Sequence, residues 1–571
     1  MKFKKLTYSI IVAILFAGHT GCSDFLDTQP TNAIPDVTAV ENVSALRAIL
    51  EQTYKTIMNY NTSSAFAGLT GYQMGTDLRC MDLSAYNHGG FNYYTCYQDL
   101  DNFTTNNAAE MWNYFYTIIR QANIVLANID EAVGTNETER ERVKGEAMAL
   151  RAYSYFWLAQ SYQQTYKGHE NLKNVLLITE PWDNPFDTKY HYSRASTKDV
   201  YDLIRKDLND AIPLLAAVPV AGTTQKSSYR VNKNIAQAML AKVSLVTNEW
   251  VVAEEMANAA RQGFDLMEPA DYLKGFTLNS VVNDQNNREW MWHIPQTPAQ
   301  HLADGVPAAG WANLNRTPTF IMDQVHVSYD LMDLYETYDV RFSQFWERRD
   351  NRYNALTAAE AAAEGKTQYL WTSNKHSQFF TGSFISSHGN IRKINPNYTG
   401  DKPGLTPDDI YDTYSNASGE NVARTDVTFR GSINLVRAAD MWLIEAEAKA
   451  RQGKDAEALV LLNELREKRN ASATQSLAFT GLTGNDLIDE ILLERRRELY
   501  AEGSILFDLI RTQRNMVRGP DHTLQLSRAW NDYKNFFQIP QREFIYNTAL
   551  SPTNDQNPRS GTTIPSNMYA N

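Results

Sequence analysis

What most constrains this chain is a recurring pattern of helix, short turn and helix with small residues at the crossing points. The clearest case runs from Glu139 to Tyr162 and contains Gly145-Glu146-Ala147-Met148-Ala149-Leu150-Arg151-Ala152-Tyr153. Its alanines admit a neighbouring helix at close range, while Tyr155, Trp157 and Leu158 fill the space beyond. Helical spacing also marks residues 41 to 60 and Ala109 to Ile129, where Trp112, Phe115, Ile119, Ala122, Val125 and Ile129 share one face. Thr197 to Leu215 is a further helix, with Asp199 near its start and Pro213 near its end. Val231 to Lys242 leads into Trp250 and Ala253 to Arg261, and the pattern returns in Asp440 to Arg451, Gly453, and Asp455 to Asn470.

Spaced Ala, Leu and Tyr on paired helices look like tetratricopeptide-type repeats, although no strict period of about 34 residues survives. The expected fold is mainly α, a superhelical scaffold of antiparallel helix pairs with long irregular, aromatic-rich loops and a few short strands. From Tyr272 to Phe429 the composition shifts to Asn, Gly, Ser, Thr and Pro with scattered aromatics. Gln378 to Ile385 and Gly389 to Lys393 are candidate strands there. Unstructured connections of this length are either functional or disordered. The chain holds 11 Trp, 31 Tyr and 23 Phe, many beside amide and hydroxyl residues, which favours ordered, functional loops.

The N-terminus gives the compartment. Lys2, Lys4 and Lys5 precede an apolar run, Ile10 to Ala17, that is too short to span a bilayer and reads as a removable signal peptide over residues 1–21. Gly21-Cys22 resembles the cleavage box of a bacterial lipoprotein, in which Cys22 becomes the acylated first residue. Residues 22–40 then form a lipidated tether, with everything after Cys22 outside the cytoplasm. In that compartment Cys80 and Cys96 either pair as a disulfide or remain two buried thiols. Net charge moves from −12 to about −15 when the leader's three lysines are removed, which argues against nucleic acid as a partner.

The sequence carries no Gly-x-Ser-x-Gly elbow, no Walker loop and no histidine pair at metal-binding spacing, so neither a metal nor a cofactor is expected. Asp284-Gln285-Asn286-Asn287-Arg288-Glu289 has a calcium-loop flavour but lacks the required glycine. A glycosidase needs two facing carboxylates, and the sequence leaves such a pair open. The densest charge cluster is Glu494-Arg495-Arg496-Arg497-Glu498, followed by Glu502-Gly503 and Phe507-Asp508-Leu509. Glu494, Glu498 and Glu502 recur every fourth residue, so the expectation is charges paired within and between helices, with Gly503 ending one helix before the next begins.

These residues also carry a family resemblance. Cys22-Ser23-Asp24-Phe25-Leu26-Asp27 looks like the lipidated start of the SusD/RagB family of Bacteroidota surface lipoproteins. Glu146-Ala147 with Arg151-Ala152 and Tyr155-Phe156 matches its early helix, and Arg437 with Glu445-Ala446-Glu447-Ala448 resembles a later one. Arg496 to Gly503, Asp508-Leu509 with Arg511, Ile539-Pro540 with Glu543, and Gln556-Asn557-Pro558 follow in the family's order. Tyr500-Ala501 departs from the Phe and polar residue that the family often has, a packing variation. The resemblance divides the chain into a helical half over 41–270 and a second half over 271–571. That second half holds a loop-rich ligand face (272–429), helices (430–515) and a closing segment (516–571), the whole forming one compact unit.

The resemblance implies a binding protein, not an enzyme. It would sit as a lid on a TonB-dependent (SusC-like) outer-membrane transporter, with the helices toward the transporter and the aromatic loops toward a glycan or, in some members, a peptide. Sugar rings stack flat C–H faces on Trp and Tyr while their hydroxyls seek amides and charged groups. The family's ligand residues are not held in its motifs. Loop position singles out Tyr86, Asn87, Phe91, Tyr93 and Tyr94 in one aromatic-amide segment, and Trp311, Asn313 and Arg316 in another. The competing readings are a peptide-binding uptake protein of the same fold and an exported glycoside hydrolase.

Overall fold

A computed structural model describes residues 41–58, 68–85, 103–104, 106–134, 136–182, 191–217, 229–270, 272, 288–294, 325–342, 345–348, 370–373, 391–394, 411–412, 433–500, 502–519, 522 and 527–558. The chain opens with α1 (Val43–Met58), α2 (Gly68–Leu78) and a short strand β1 (Leu83–Ala85). Two long helices follow, α3 (Asn106–Asn128) and α4 (Glu137–Tyr162), then β2 (Lys173–Leu176), β3 (Arg194–Ser196), α5 (Thr197–Leu214), α6 (Lys233–Thr247) and α7 (Trp250–Ala260). The middle holds β4 (Trp290–Ile294), β5 (Val325–Val327), a single turn α8 (Tyr329–Met332), β6 (Phe345–Arg348), β7 (Leu370–Ser373), β8 (Ile391–Ile394) and β9 (Tyr411–Asp412). After β10 (Ile433–Arg437) come α9 (Ala438–Arg451), α10 (Asp455–Glu467), α11 (Gly484–Leu499) and α12 (Ile505–Arg511). Two short helices, α13 (Gln541–Tyr546) and α14 (Pro552–Asp555), end the described chain.

The helices stack as neighbours in sequence, α3 on α4, α4 on α5, α5 on α6 and α6 on α7, and α7 then packs on α9, which carries α10 and α11. This is the expected tetratricopeptide-like scaffold. Small residues make the close approach: Ala147, Ala149, Ala152 and Ala159 on α4 are fully buried, as are Ala253, Ala257 and Ala260 on α7. A Cβ at Gly145 would come within 2.9 Å of Leu215 Cγ, so no larger residue fits where α4 meets the end of α5.

Side-chain caps fix several helix starts. Asn136 Oδ1 accepts from the Glu139 amide at 3.1 Å, which begins α4 two residues before the sequence-based start. Asn232 Oδ1 accepts from the Ile235 amide at 3.0 Å and begins α6, and Asn248 ends it in the left-handed region at φ 61°. Helix α10 stops at Glu467, three residues earlier than its periodicity suggests. One hydrophobic core runs from Val43 to Leu550 and unites helices from both ends of the chain.

The middle of the chain forms more sheet than its composition indicates. Six short strands make an antiparallel sheet in the order β1-β5-β7-β6-β8-β9, and β4 pairs separately with β10. Strand β8 falls on the expected 389–393 segment, whereas the 378–385 segment lies outside the described residues.

Candidate functional site

All eight candidate ligand residues lie outside the described residues, as do Cys22 and Cys96. What is described is a strand pair next to both candidate segments in the sequence. Strands β1 and β5 pair antiparallel, with Leu83 opposite Val327 and Ala85 opposite Val325. The chain leaves β1 at Ala85 directly toward Tyr86, and it enters β5 at Val325 from the side of Trp311 and Arg316. An antiparallel register therefore puts the exit from β1 and the entry into β5 at one end of the ladder, although more than two hundred residues separate the two strands in sequence.

That ladder is bolted to the helices. The Ser328 amide donates to Asp82 O at 2.9 Å, and the Asp82 carboxylate pairs with Arg496 of α11. Burial pushes the Asp82 carboxyl up, with Arg496 opposing. Cys80, two residues before, is fully buried, and burial together with the Asp82 and Asp77 charges raises its thiol well above the ordinary range. Such a thiol is inert rather than reactive.

The Glu/Arg cluster forms a network of buried ion pairs. Glu498 accepts from Arg437 Nη1 at 2.8 Å, from Arg341 Nη1 at 3.0 Å and from Arg469 Nη2 at 3.1 Å, and all four side chains are fully buried. Arg341 also meets Asp339 and Glu494, and Glu289 joins Arg437 at 2.7 Å to Arg469 at 2.6 Å. Glu289, the last residue of the calcium-like segment, is thus committed to two arginines and to the Met267 amide. A second row runs through Arg495, which pairs with Asp440 and Asp508, to Arg511, which pairs with Asp508 and Glu447.

Glu502 does not continue the α11 face, because the helix ends at Leu499; it reaches Arg437 from the following turn. Gly503 sits in that turn at φ 79°, with its amide donating to Asp77 Oδ2 at 2.7 Å. A Cβ there would lie 2.8 Å from the Gln73 Cα, so glycine is required on both counts.

Burial opposes ionisation of these carboxylates, yet the arginines prevail. Glu494 settles at about 2 against Arg341, Arg466 and Arg497, and Asp440 and Glu447 also lie at about 2. A general acid needs the opposite shift, so none of the three suits that role, and each is held by its ion pairs within the scaffold. Among the described residues no cluster of His, Cys, Asp and Glu has the geometry to hold a metal ion, and no helix is long and apolar enough to cross a membrane.

The other motif residues are equally committed. Glu146 accepts from Arg47 and Tyr54, each at 2.8 Å, and Arg151 forks onto Asp207 at 2.7 and 2.8 Å. The Tyr155 hydroxyl binds both backbone groups of Ile178. Asn557 Nδ2 donates to Tyr162 O and Phe537 O, while its Oδ1 accepts from Arg194, which ties the closing segment to the end of α4. Sequence reading missed Arg341, Asp339, Arg469 and Glu289 as members of the network. Their partners lie up to 180 residues away, and no local spacing marks them.

Comparison with known proteins identifies the family. Residues 24–245 match the SusD-like model described as starch-binding and associating with the outer membrane, and residues 279–564 match the SusD family model. A SusD-like protein of Formosa agariphila is 24% identical over 92% of this chain and 95% of its own. A SusD-like protein of Bacteroides ovatus is 24% identical over 93% of this chain and 86% of its own. Among solved structures, a SusD-like carbohydrate-binding protein from Bacteroides vulgatus superposes with a TM-score of 0.66 at 22% identity, covering 89% of this chain and 97% of that one. A laminarin-binding SusD-like protein superposes with a TM-score of 0.60 at 20% identity, over 91% and 99%. Matched along both halves by family models and built on the same helical scaffold, this chain belongs to the SusD/RagB family.

Proposed function

We propose that the chain is a surface lipoprotein that captures a poly- or oligosaccharide and hands it to a partner TonB-dependent transporter, without chemical change to the ligand. Cys22, acylated after removal of residues 1–21, tethers it to the outer membrane and keeps it beside the transporter at high local concentration. The observation that carries the reading is the β1–β5 ladder, which sets Ala85, next to the Tyr86–Tyr94 segment, opposite Val325, the first described residue after the Trp311–Arg316 segment. Aromatic and amide groups from two such segments supply the stacking faces and hydrogen-bond partners that a sugar chain requires. The carbohydrate-binding and laminarin-binding relatives add support from the family side.

The test is to apply the purified mature chain to a glycan and peptide panel while assaying the glycans for new reducing ends. Saturable glycan binding with no release of shorter sugars is the expected result. Binding confined to peptides would replace the ligand class, and steady product release would overturn the non-enzymatic reading.

A further inference from the structure

A cavity of about 90 Å³ lies between α4, α6, α9 and α12, where residues of the two family-matched halves meet. Among the described residues, none that lines it belongs to β1 or β5. One wall is aromatic: Tyr153, Phe156 and Trp157 from α4, with Phe507 of α12 standing edge-on to Trp157 at 5.8 Å. The lining also includes the polar groups of Lys242, Ser504 and Asp508. The side chain of Lys242 is 30% exposed, which places it toward solvent.

Two features narrow the ligand class. Every lining cation already has a carboxylate: Lys242 holds Asp440 at 2.7 Å, Arg495 bridges Asp440 and Asp508, and Arg511 bridges Asp508 and Glu447. A charged ligand would have to displace one of these pairs, whereas a neutral one leaves them intact. Meanwhile the buried Ser504 Oγ has no hydrogen-bond partner, an expensive state for a hydroxyl that a ligand hydroxyl would relieve. The volume corresponds to roughly six to nine waters, the space of one pyranose ring rather than a chain.

We propose that this cavity is a separate binding site for a single neutral, hydroxylated ring, a monosaccharide unit seated on the Phe156–Trp157–Phe507 wall and hydrogen-bonded at Ser504 and Asp508. It lies in the scaffold and does not depend on the loop segments proposed for glycan capture. Ser504→Ala is the informative variant, because removing an unpartnered hydroxyl leaves folding unchanged while deleting a ligand contact.

The experiment titrates the mature protein with methyl glucoside, galactoside and mannoside, and with p-cresol as an apolar aromatic control. Trp311→Ala is run beside Ser504→Ala, and melting temperatures confirm that both fold. The expected result is saturable binding of at least one glycoside, weakened about five- to tenfold by Ser504→Ala and unaffected by Trp311→Ala. Three results would overturn the proposal: no glycoside binding up to roughly 50 mM, capture of p-cresol alone, or glycoside binding that Ser504→Ala does not weaken more than Trp311→Ala. The last would leave the loop-based capture site standing and remove only this one.

Discussion

The α9–α12 block and the six-stranded sheet solve the problem of order in opposite ways. In the block, a few long helices are locked by fully buried arginine–carboxylate pairs that draw together residues as distant as Glu289 and Arg469. In the sheet, strands of two to four residues collect from positions 83 to 412 and pair over short registers. The block is held to one shape because its charges are paired with one another and with Glu289, Arg341 and Lys242 packed against it. Short strands fix only the points at which intervening segments leave and return. A fixed scaffold beneath exchangeable segments is the arrangement expected when members of one fold take different ligands.

Acid should break the contrast most strongly. Asp440, Glu447 and Glu494 are depressed in the folded protein, so their contribution is complete above the ordinary carboxylate range and is lost as pH falls from about 4.5 toward about 2. Far-ultraviolet circular dichroism against pH should show the helical signal collapse in that window. A flat signal down to pH 2 would mean that the network does not hold the block.

Glu498→Gln comes next. It leaves Arg341, Arg437 and Arg469 short of their shared acceptor and should cost about 3–5 kcal/mol in denaturant unfolding. Gly503→Ala should cost about 1–3 kcal/mol, from the positive φ and the contact with the Gln73 backbone. Tyr93→Ala and Trp311→Ala should sit at the other extreme, shifting stability by no more than about 0.5 kcal/mol. A loss as large as that of Glu498→Gln would make either residue a packing anchor instead of a ligand group.

The helices were legible in the sequence because their signal is local. Alanine-rich faces such as Ala147 to Ala159 announce close packing within a single stretch, and Asn136 and Asn232 mark starts through contacts three residues away. The motifs that carried the family resemblance turned out to be the same kind of residue. Glu146, Arg151, Tyr155 and Asn557 are spent on the scaffold, which is why they identify the fold and say nothing of the ligand.

Apart from β8, the sheet was not legible, because strands as short as Leu83–Ala85 and Tyr411–Asp412 hold too few residues for a period-2 pattern. Nor was the ion network complete from sequence. The pairing of Glu494 and Glu498 with arginines was foreseeable from spacing, but Arg341 is brought to Glu498 by the tertiary fold across 157 residues. The same holds for the strand pair beside the candidate segments: the β1–β5 register sets Ala85, just before Tyr86, opposite Val325, and that register is a property of the fold.

The central claim is that these two segments serve one glycan site, and affinity for a glycan taken from the binding panel tests it most directly. Tyr93→Ala, Trp311→Ala and the double variant would each be titrated with that glycan, with melting temperatures checked in parallel. The account predicts at least a tenfold loss in each single variant and a double loss that departs from the product of the two by more than about 0.5 kcal/mol, as groups sharing a ligand do. Unchanged affinity in both single variants, with the fold intact, would contradict it.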